Sequence, residues 1–387
     1  MTYRKFKADY LFTGEGLAAP GSVLITAADG EVQAVVPSSA AGEDIAYYPG
    51  LLSPGFVNCH CHLELSHLKG RIPKGTGLVD FLSTVVRLRE RSDEPAVVQQ
   101  AIARAEDEML DGGIIAVGDI CNTSDTLEQK KKGRLYYHNF IETIGFIDKG
   151  APDRWAHSLS IYDQFGGLGS IVPHAPYSVS PTLFRLIAGF PGNRLLTIHN
   201  QESEDENIFL SSGMGDFQRL YRQLGLDISF FRGTGKRGLA SWLPYFYRNQ
   251  EVIAVHNVAT FEEDLSGLPE DGPALHFCLC PGANLYIGNR LPDVDLLMRR
   301  GCRLVIGTDS LASNHRLSIL EEMKTLQERS PKLATPLLLQ WATSNGARAL
   351  GIGDLFGNFA PGTRPGVLLL EHLEGDSLKG AKVRRLL

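Results

Sequence analysis

A closed parallel (β/α)8 barrel of the TIM-like kind, in the α/β class, is the architecture expected of this 387-residue chain, with a small β-sandwich unit built from its two ends. Eight apolar runs of strand length recur along the sequence, and amphipathic helical stretches separate most of them. That rhythm buries parallel strands beneath helices. Eight such strands favour closure over an open sheet. The segments before and after the series read differently, as short strands punctuated by turns.

The opening segment shows strand patterns at 9–13, 22–26 and 32–36, the last beside Asp29-Gly30. From Leu51 the rhythm changes. The apolar runs fall at 51–57, 114–117, 135–141, 170–172, 195–198, 252–255, 274–279 and 303–306. Helical patterns lie between them, as at 94–111, 181–188 and 291–300. After Asn345-Gly346-Ala347 the last helix should end near Gly351. The tail from Phe359 to Leu387, with Pro361-Gly362 and a strand-like 367–370, matches the opening segment and should pair with it. The expected division is 1–52 with 355–387 as a composite β domain, and 53–354 as the barrel. The charge runs at 202–206 and at Lys130-Lys131-Lys132 read as solvated surface.

Composition narrows the classes. A hydrophobic fraction of 43% and a charged fraction of 21% are those of an ordinary globular protein. A net charge of −6 gives no bulk attraction to nucleic acid. No apolar run approaches the roughly 18–20 residues of a membrane helix. The basic opening, Met1 to Lys7, meets Asp9 and Glu15 before a signal-peptide core can form, so a cytoplasmic location is expected. Six cysteines in so long a chain do not make a disulfide scaffold. Cys59 and Cys61 should pack as small apolar groups, as should Cys278 and Cys280, and no C-x-x-C occurs.

The chemistry gathers where the strands end. In 51–62 the chain closes on His60-Cys61-His62, and two histidines at i and i+2 of an extended strand face the same side. Both imidazoles can therefore reach one ion. Strand four delivers His174, strand five His199, strand six His256, and strand eight Asp309 through Ile306-Gly307-Thr308-Asp309. In a barrel of this type the carboxyl ends of the strands share one rim. Three histidines and a carboxylate make a nitrogen/oxygen set suited to zinc or ferrous iron, with room for water. Bridged two-metal sites on such barrels use a modified lysine, and strand four ends without one. Glu202, three residues after His199, can stand beside the site and move a proton between water and a substrate nitrogen.

These residues together resemble the amidohydrolase superfamily, and within it the metal-dependent deaminases, including those of S-adenosylhomocysteine, guanine and aminodeoxyfutalosine, and the triazine chlorohydrolases. The matching pieces are Pro54-Gly55-Phe56-Val57-Asn58 before His60-x-His62, the pair His199-x-x-Glu202, and Ala254-Val255-His256-Asn257. Cys280-Pro281 with Asn284 and the run Gly307-Thr308-Asp309-Ser310-Leu311-Ala312-Ser313-Asn314 complete the order. The resemblance runs from about residue 8 to the C-terminus. It implies that His60, His62, His199 and Asp309 hold one divalent metal, zinc ahead of iron. Asp309 would take a proton from the attacking water, Glu202 would protonate the ring nitrogen, and His256 would steer the hydroxide. The metal lowers the pKa of its water, hydroxide adds to the amino-bearing ring carbon, and ammonia leaves. His174, in His174-Ala175-Pro176-Tyr177, matches a substrate-contacting position.

Substrate features are fewer. Glu64, in His62-Leu63-Glu64-Leu65-Ser66, should share the strand face of the ligands and accept hydrogen bonds from a ribose. The stretch 81–90, with Arg87 and Arg89, resembles a segment of aminodeoxyfutalosine deaminases, whose substrate carries a benzoate that an arginine fork would suit. Arg87 is therefore named with Glu64 and His174 for substrate binding. Glu142, ending strand three, reads as a residue behind the site. Cys280-Pro281-Gly282-Ala283-Asn284 departs from the family in placing alanine before the asparagine.

The resulting expectation is a deaminase of an adenine-type nucleoside, a 5′-modified adenosine with aminodeoxyfutalosine slightly favoured. The alternatives are a same-scaffold hydrolase of a lactam or halogenated heterocycle, a guanine-type deaminase, or a barrel that has lost turnover. The partner is a small heterocycle, with neither nucleic acid nor membrane, and exposed barrel helices are compatible with a homodimer. His62-Leu63-Glu64 also fits the H-x-E of cytidine-deaminase-type enzymes, but the P-C-x-x-C they need is missing. Neither a phosphate loop nor G-x-S-x-G occurs.

Overall fold

The computed structural model describes residues 3–90, 93–269 and 271–387; Met1 and Thr2 of the basic opening lie outside them. The chain begins with four strands, β1 (Tyr3–Leu11), β2 (Ser22–Ala27), β3 (Val32–Pro37) and β4 (Ala46–Ser53). Eight more follow: β5 (Phe56–Cys61), β6 (Ile114–Cys121), β7 (Tyr136–Thr143), β8 (Ser170–Pro173), β9 (Leu195–Asn200), β10 (Glu251–His256), β11 (Ala274–Leu279) and β12 (Arg303–Ile306). Two late strands, β13 (Leu368–Glu371) and β14 (Lys382–Arg385), end the series.

The terminal strands form one six-stranded sheet in the order β14-β13-β4-β1-β2-β3. β13 pairs antiparallel with β4, so the tail does return to the opening segment. Among the described residues this is a single sheet, where a two-layered sandwich was expected. It has its own small core, including Phe6, Leu24, Leu52, Val367 and Leu369.

The expected single run at 51–57 is two strands. Pro54 has no N–H for a ladder. Gly55 packs against the Ile115 side chain, and a Cβ on it would lie 2.6 Å from the Pro365 carbonyl oxygen. The chain therefore breaks there and passes from the terminal sheet into the next one.

β5 to β12 form two four-stranded parallel sheets, β5-β6-β7-β8 and β9-β10-β11-β12. Their edges meet twice. At one seam the Thr308 and Asp309 N–H groups both donate to the His60 carbonyl, at 3.0 and 3.1 Å. At the other, the His199 N–H donates to the His174 carbonyl at 2.9 Å. Every residue of β5 and β6 is buried, as parallel strands covered on both faces require.

The helix Pro95–Asp111 opens on proline and stops at Gly112 and Gly113, the latter with φ 80°. The helix expected at 291–300 is shorter, Val294–Arg299, because Pro292 precedes it and the Asp293 side chain caps the Leu296 N–H at 2.9 Å. The helix Pro181–Ala188 lies where its pattern put it. No helix among the described residues is long and apolar enough to cross a membrane.

Candidate active site

β5, β9 and the turn after β12 bring four side chains together. His60 is the last residue but one of β5, His62 follows the strand, His199 is near the end of β9, and Asp309 lies three residues past β12. Their ligand atoms all lie within 4.8 Å of one another. His62 Nε2 and His199 Nε2 are 3.3 Å apart, while Asp309 Oδ1 stands 3.4 Å from His60 Nε2 and 3.5 Å from His62 Nε2. Ligands at about 2.0–2.1 Å around a tetrahedral ion sit roughly 3.3 Å from each other, so this spacing fits such an ion.

The hydrogen bonding fits too. His199 Nδ1 donates to the His174 carbonyl at 2.8 Å, which leaves its Nε2 lone pair facing the cluster. The ring nitrogens of His60 and Nδ1 of His62 are buried without a hydrogen-bond partner. Burial pushes His62 well below the usual histidine range, and burial with the neighbouring His174 and His60 brings His199 to about 4. Neutral imidazoles are what a metal needs. Burial alone would raise the Asp309 carboxyl, but the imidazoles of His60, His62 and His256 around it hold it well below the carboxylate range. Ser313 Oγ donates to Asp309 Oδ2 at 2.5 Å.

The local backbone is strained here. Gln201 (φ 48°), His256 (78°), Asn257 (59°) and Asp309 (56°) are left-handed, at about 1–3 kcal/mol each. The cross-strand scaffold that holds them is polar. Asn58 Nδ2 donates to Thr308 Oγ1 at 2.7 Å, and the Thr308 N–H donates back to Asn58 Oδ1 at 3.1 Å.

Glu202 and His256 stand beside the cluster, with Glu202 Oε1 3.6 Å from His256 Nε2. Asn284 Nδ2 donates to His256 Nδ1 at 2.9 Å, so the proton of the neutral ring sits on Nε2, facing Glu202. The alanine before Asn284 leaves this contact intact. Burial pushes Glu202 well above the usual range, helped by the charges of Asp309 and Glu206, while burial pushes His256 well below its own. Glu206, expected on the surface, is fully buried.

A cavity of about 560 Å³ opens above the cluster. His62, His174, His199, Glu202, His256 and Asp309 line its floor, with Leu65, Phe81, Phe146 and Tyr177 among its apolar walls. His174 is where the motif placed it, its ring 4.7 Å from that of His199 and its Nδ1 2.7 Å from Ser178 Oγ.

Glu64 does not fit the ribose role. The strand ends at Cys61, and a 3-10 helix over Leu63–Leu68 turns Glu64 away from the ligand face. Its Oε1 accepts from Arg89 at 3.0 Å, and its Oε2 accepts from the Asn122 and Thr123 N–H groups at 3.0 Å each and from Thr123 Oγ1 at 3.1 Å. A carboxylate so fully bonded has little left for a ligand. Arg87 is also misplaced: it is exposed on the helix Leu78–Glu90 and does not line the cavity, whereas Arg89, two residues on, does.

Sequence reading missed Arg154, Lys149 and Asn122 on the wall, and gave Ser313 and Asn284 no task. Glu142 was read as lying behind the site, yet it lines the cavity. Its Oε1 is buried without a hydrogen-bond partner, 3.6 Å from His199 Nδ1. Lys130, expected on the surface, is buried and pairs with Asp119 at 2.6 Å, and Asp119 accepts from the Leu63 N–H at 2.9 Å. The i to i+3 offset of Ser310 and Ser313, and the strand position of Asp119, were the available signals.

Comparison with known proteins agrees with this geometry. The Amidohydrolase family profile matches residues 51–380. The aminodeoxyfutalosine deaminase of Nitratiruptor sp. is 26% identical over 342 residues, 84% of this chain and 80% of that one. The 5-methylthioadenosine/S-adenosylhomocysteine deaminase of Thermococcus kodakarensis is 26% identical over 330 residues, 78% of this chain and 69% of that one. The crystal structure of Helicobacter pylori aminofutalosine deaminase in complex with methylthio-coformycin matches with a TM-score of 0.83 at 20% identity, over 99% of this chain and 100% of that one. At that identity the likeness speaks for the fold. With the profile spanning nearly the whole chain, the protein belongs to the Amidohydrolase family and is a hydrolase of carbon–nitrogen bonds.

Proposed function

We propose that this amidohydrolase is a metal-dependent deaminase of adenine nucleosides carrying a modified 5′ position, with aminodeoxyfutalosine ahead of S-adenosylhomocysteine and methylthioadenosine. The carrying observation is the buried Glu202 facing His256 at 3.6 Å on the floor of a deep cavity, beside His62, His199 and Asp309 of the four-residue cluster. Similarity to deaminases of 5′-modified adenosines supports the substrate class.

In this reading His60, His62, His199 and Asp309 hold one divalent ion, zinc ahead of iron. When bound, it supplies Lewis acidity and a low-pKa water. The remaining work falls to side chains. Asp309 Oδ2, oriented by Ser313, accepts the proton from the attacking water. Glu202 donates its proton to the ring nitrogen beside the amino-bearing carbon, which makes that carbon electrophilic. His256, kept in the Nε2–H tautomer by Asn284, donates a hydrogen bond to the incoming oxygen. The apolar walls exclude bulk water; the amino group takes the proton held by Asp309 and leaves as ammonia, and the new hydroxyl gives its proton back to Glu202 as the carbonyl forms.

Arg89, Lys149 and Arg154 on the wall suit a substrate with an anionic 5′ substituent. For the fold, we read the two four-stranded sheets as halves of one closed (β/α)8 barrel over 53–354, with 1–52 and 355–387 as its attached domain. The test is ammonia release from a panel of aminodeoxyfutalosine, S-adenosylhomocysteine, methylthioadenosine, adenosine and guanine. An ultraviolet shift from adenine to hypoxanthine with a 5′-modified adenosine is expected. Turnover of guanine alone, or no ammonia from any member with metal-replete protein, would overturn the reading.

A further inference from the structure

Beside the site lies a further buried carboxylate, one that the chemistry above does not use. Glu206 is fully buried in the first turn of the helix Glu204–Ser212. Its Oε1 accepts the Gln201 N–H at 2.9 Å and its Oε2 accepts the Glu202 N–H at 3.2 Å. These successive donors follow β9, where the chain turns through the left-handed Gln201. Two N–H groups converging on one carboxylate form an anion nest closed by the protein's own side chain. The Gln201 side chain is tied down as well, its Nε2 donating to Asn207 Oδ1 at 3.0 Å and to Asp264 Oδ2 at 2.9 Å. The turn carrying Glu202 is thus held by its backbone from one side and through Gln201 from the other.

We propose that Glu206 is the positioning residue for Glu202, clamping the 201–202 backbone so that the Glu202 carboxyl stays aimed at His256 and the substrate. This rests on the role given to Glu202 above. Glu206 touches no substrate; it acts through one rigid turn, and an error of about 1 Å in such a group can cost about a hundredfold in rate. A glutamine at 206 can accept from only one of the two N–H groups, because its amide nitrogen meets the other as a donor.

The experiment is a double-mutant cycle of Glu202→Gln and Glu206→Gln, read as kcat, KM, metal content and melting temperature. The substrate is the adenine nucleoside turned over fastest in the panel. Glu206→Gln should lower kcat by roughly 10- to 100-fold while KM stays within about threefold and metal is retained. The double variant should be no more than about threefold slower than Glu202→Gln alone, since the clamp has nothing left to aim. Glu206→Asp, which keeps the charge and shortens the reach, should fall between wild type and Glu206→Gln. Additive losses, a loss confined to KM, or an unchanged kcat would overturn the proposal, as would failure of both 206 variants to fold. A wild-type rate in Glu202→Gln would bring down the role of Glu202 itself. A slow Glu202→Gln beside a fully active Glu206→Gln would remove only the clamp.

Discussion

The floor of the cavity and its upper wall are built by different rules. The floor comes from strand ends: His62, His199, His256 and Asp309 all sit at or just past the carboxyl end of a strand, and short polar bonds hold His199, His256 and Asp309. The wall includes Leu220, Tyr221, Leu224 and Leu226, which belong to an excursion of the chain between Gly213 and Gly233. The feet of that excursion touch. A Cβ on Gly213 would lie 2.8 Å from the Gly233 nitrogen, and the Thr234 N–H closes the loop onto the Leu210 carbonyl at 2.7 Å. Its aromatics pack sideways, Phe217 4.3 Å from Tyr177 and Phe231 5.1 Å from Phe146, between ring centroids. The candidate catalytic groups are therefore placed by strand ends and the cross-strand bonds beneath them, and this part of the wall by an excursion closed upon itself.

If that division is right, floor substitutions change kcat and wall substitutions change KM. Glu202→Gln should keep its metal and lose about 10²–10⁴ in kcat, measured by steady-state ammonia release with metal analysis. In the proposed mechanism the acid form of Glu202 is the working one and burial raises its pKa, so kcat should fall as pH rises through that elevated value. The glutamine variant should lack this alkaline limb.

The wall makes the opposite prediction. Gly213→Ala places a side chain at φ 71°, against the Gly233 backbone, and should raise KM by roughly tenfold with metal content unchanged. A fall in kcat at constant KM would break the distinction.

A third expectation concerns the support beneath the floor. Glu322 accepts the Gly282 N–H at 2.7 Å and Asn314 Nδ2 at 2.7 Å, and Asn314 in turn donates to the Thr308 carbonyl at 2.9 Å. Burial pushes Glu322 from 4.5 up to about 8. The folded state then binds a proton that the unfolded state releases, so this stability is complete below about pH 4.5 and is lost as pH rises to about 8. Melting temperature should decline over that window, and Glu322→Gln should flatten the decline in a pH series by calorimetry. The smallest effect distinguishes two neighbours. Arg87→Ala should leave kcat/KM within about twofold, while Arg89→Ala, which frees Glu64 and the Asn122-Thr123 turn, should lower it several-fold.

The same contrast explains what the sequence could disclose. His60 and His62 were legible because a period of two on a strand puts both on one face, and Asp309 because it closes an apolar run. Glu64 was misread by extending that period past Cys61, where the backbone turns into a 3-10 helix. Glu206 and Lys130 were hidden inside charge runs whose average character is solvated surface; Glu206 is buried where it bonds the 201–202 backbone, and the Lys130 side chain where it pairs with Asp119 of β6. Arg89 and Arg87 share one helix and one residue type, and the phase of that helix against the cavity separates them. The break at Pro54-Gly55 was written in the sequence, but its meaning depends on Ile115 and Pro365, far along the chain.

In the proposed site four donors converge on one cation, and metal stoichiometry tests that most directly. Purified protein, supplied with zinc, should carry one equivalent per chain; Asp309→Asn should carry much less and lose about a thousandfold or more in rate. Wild-type protein that holds no metal and cannot be reloaded, or an Asp309→Asn protein with full metal and full rate, would contradict it.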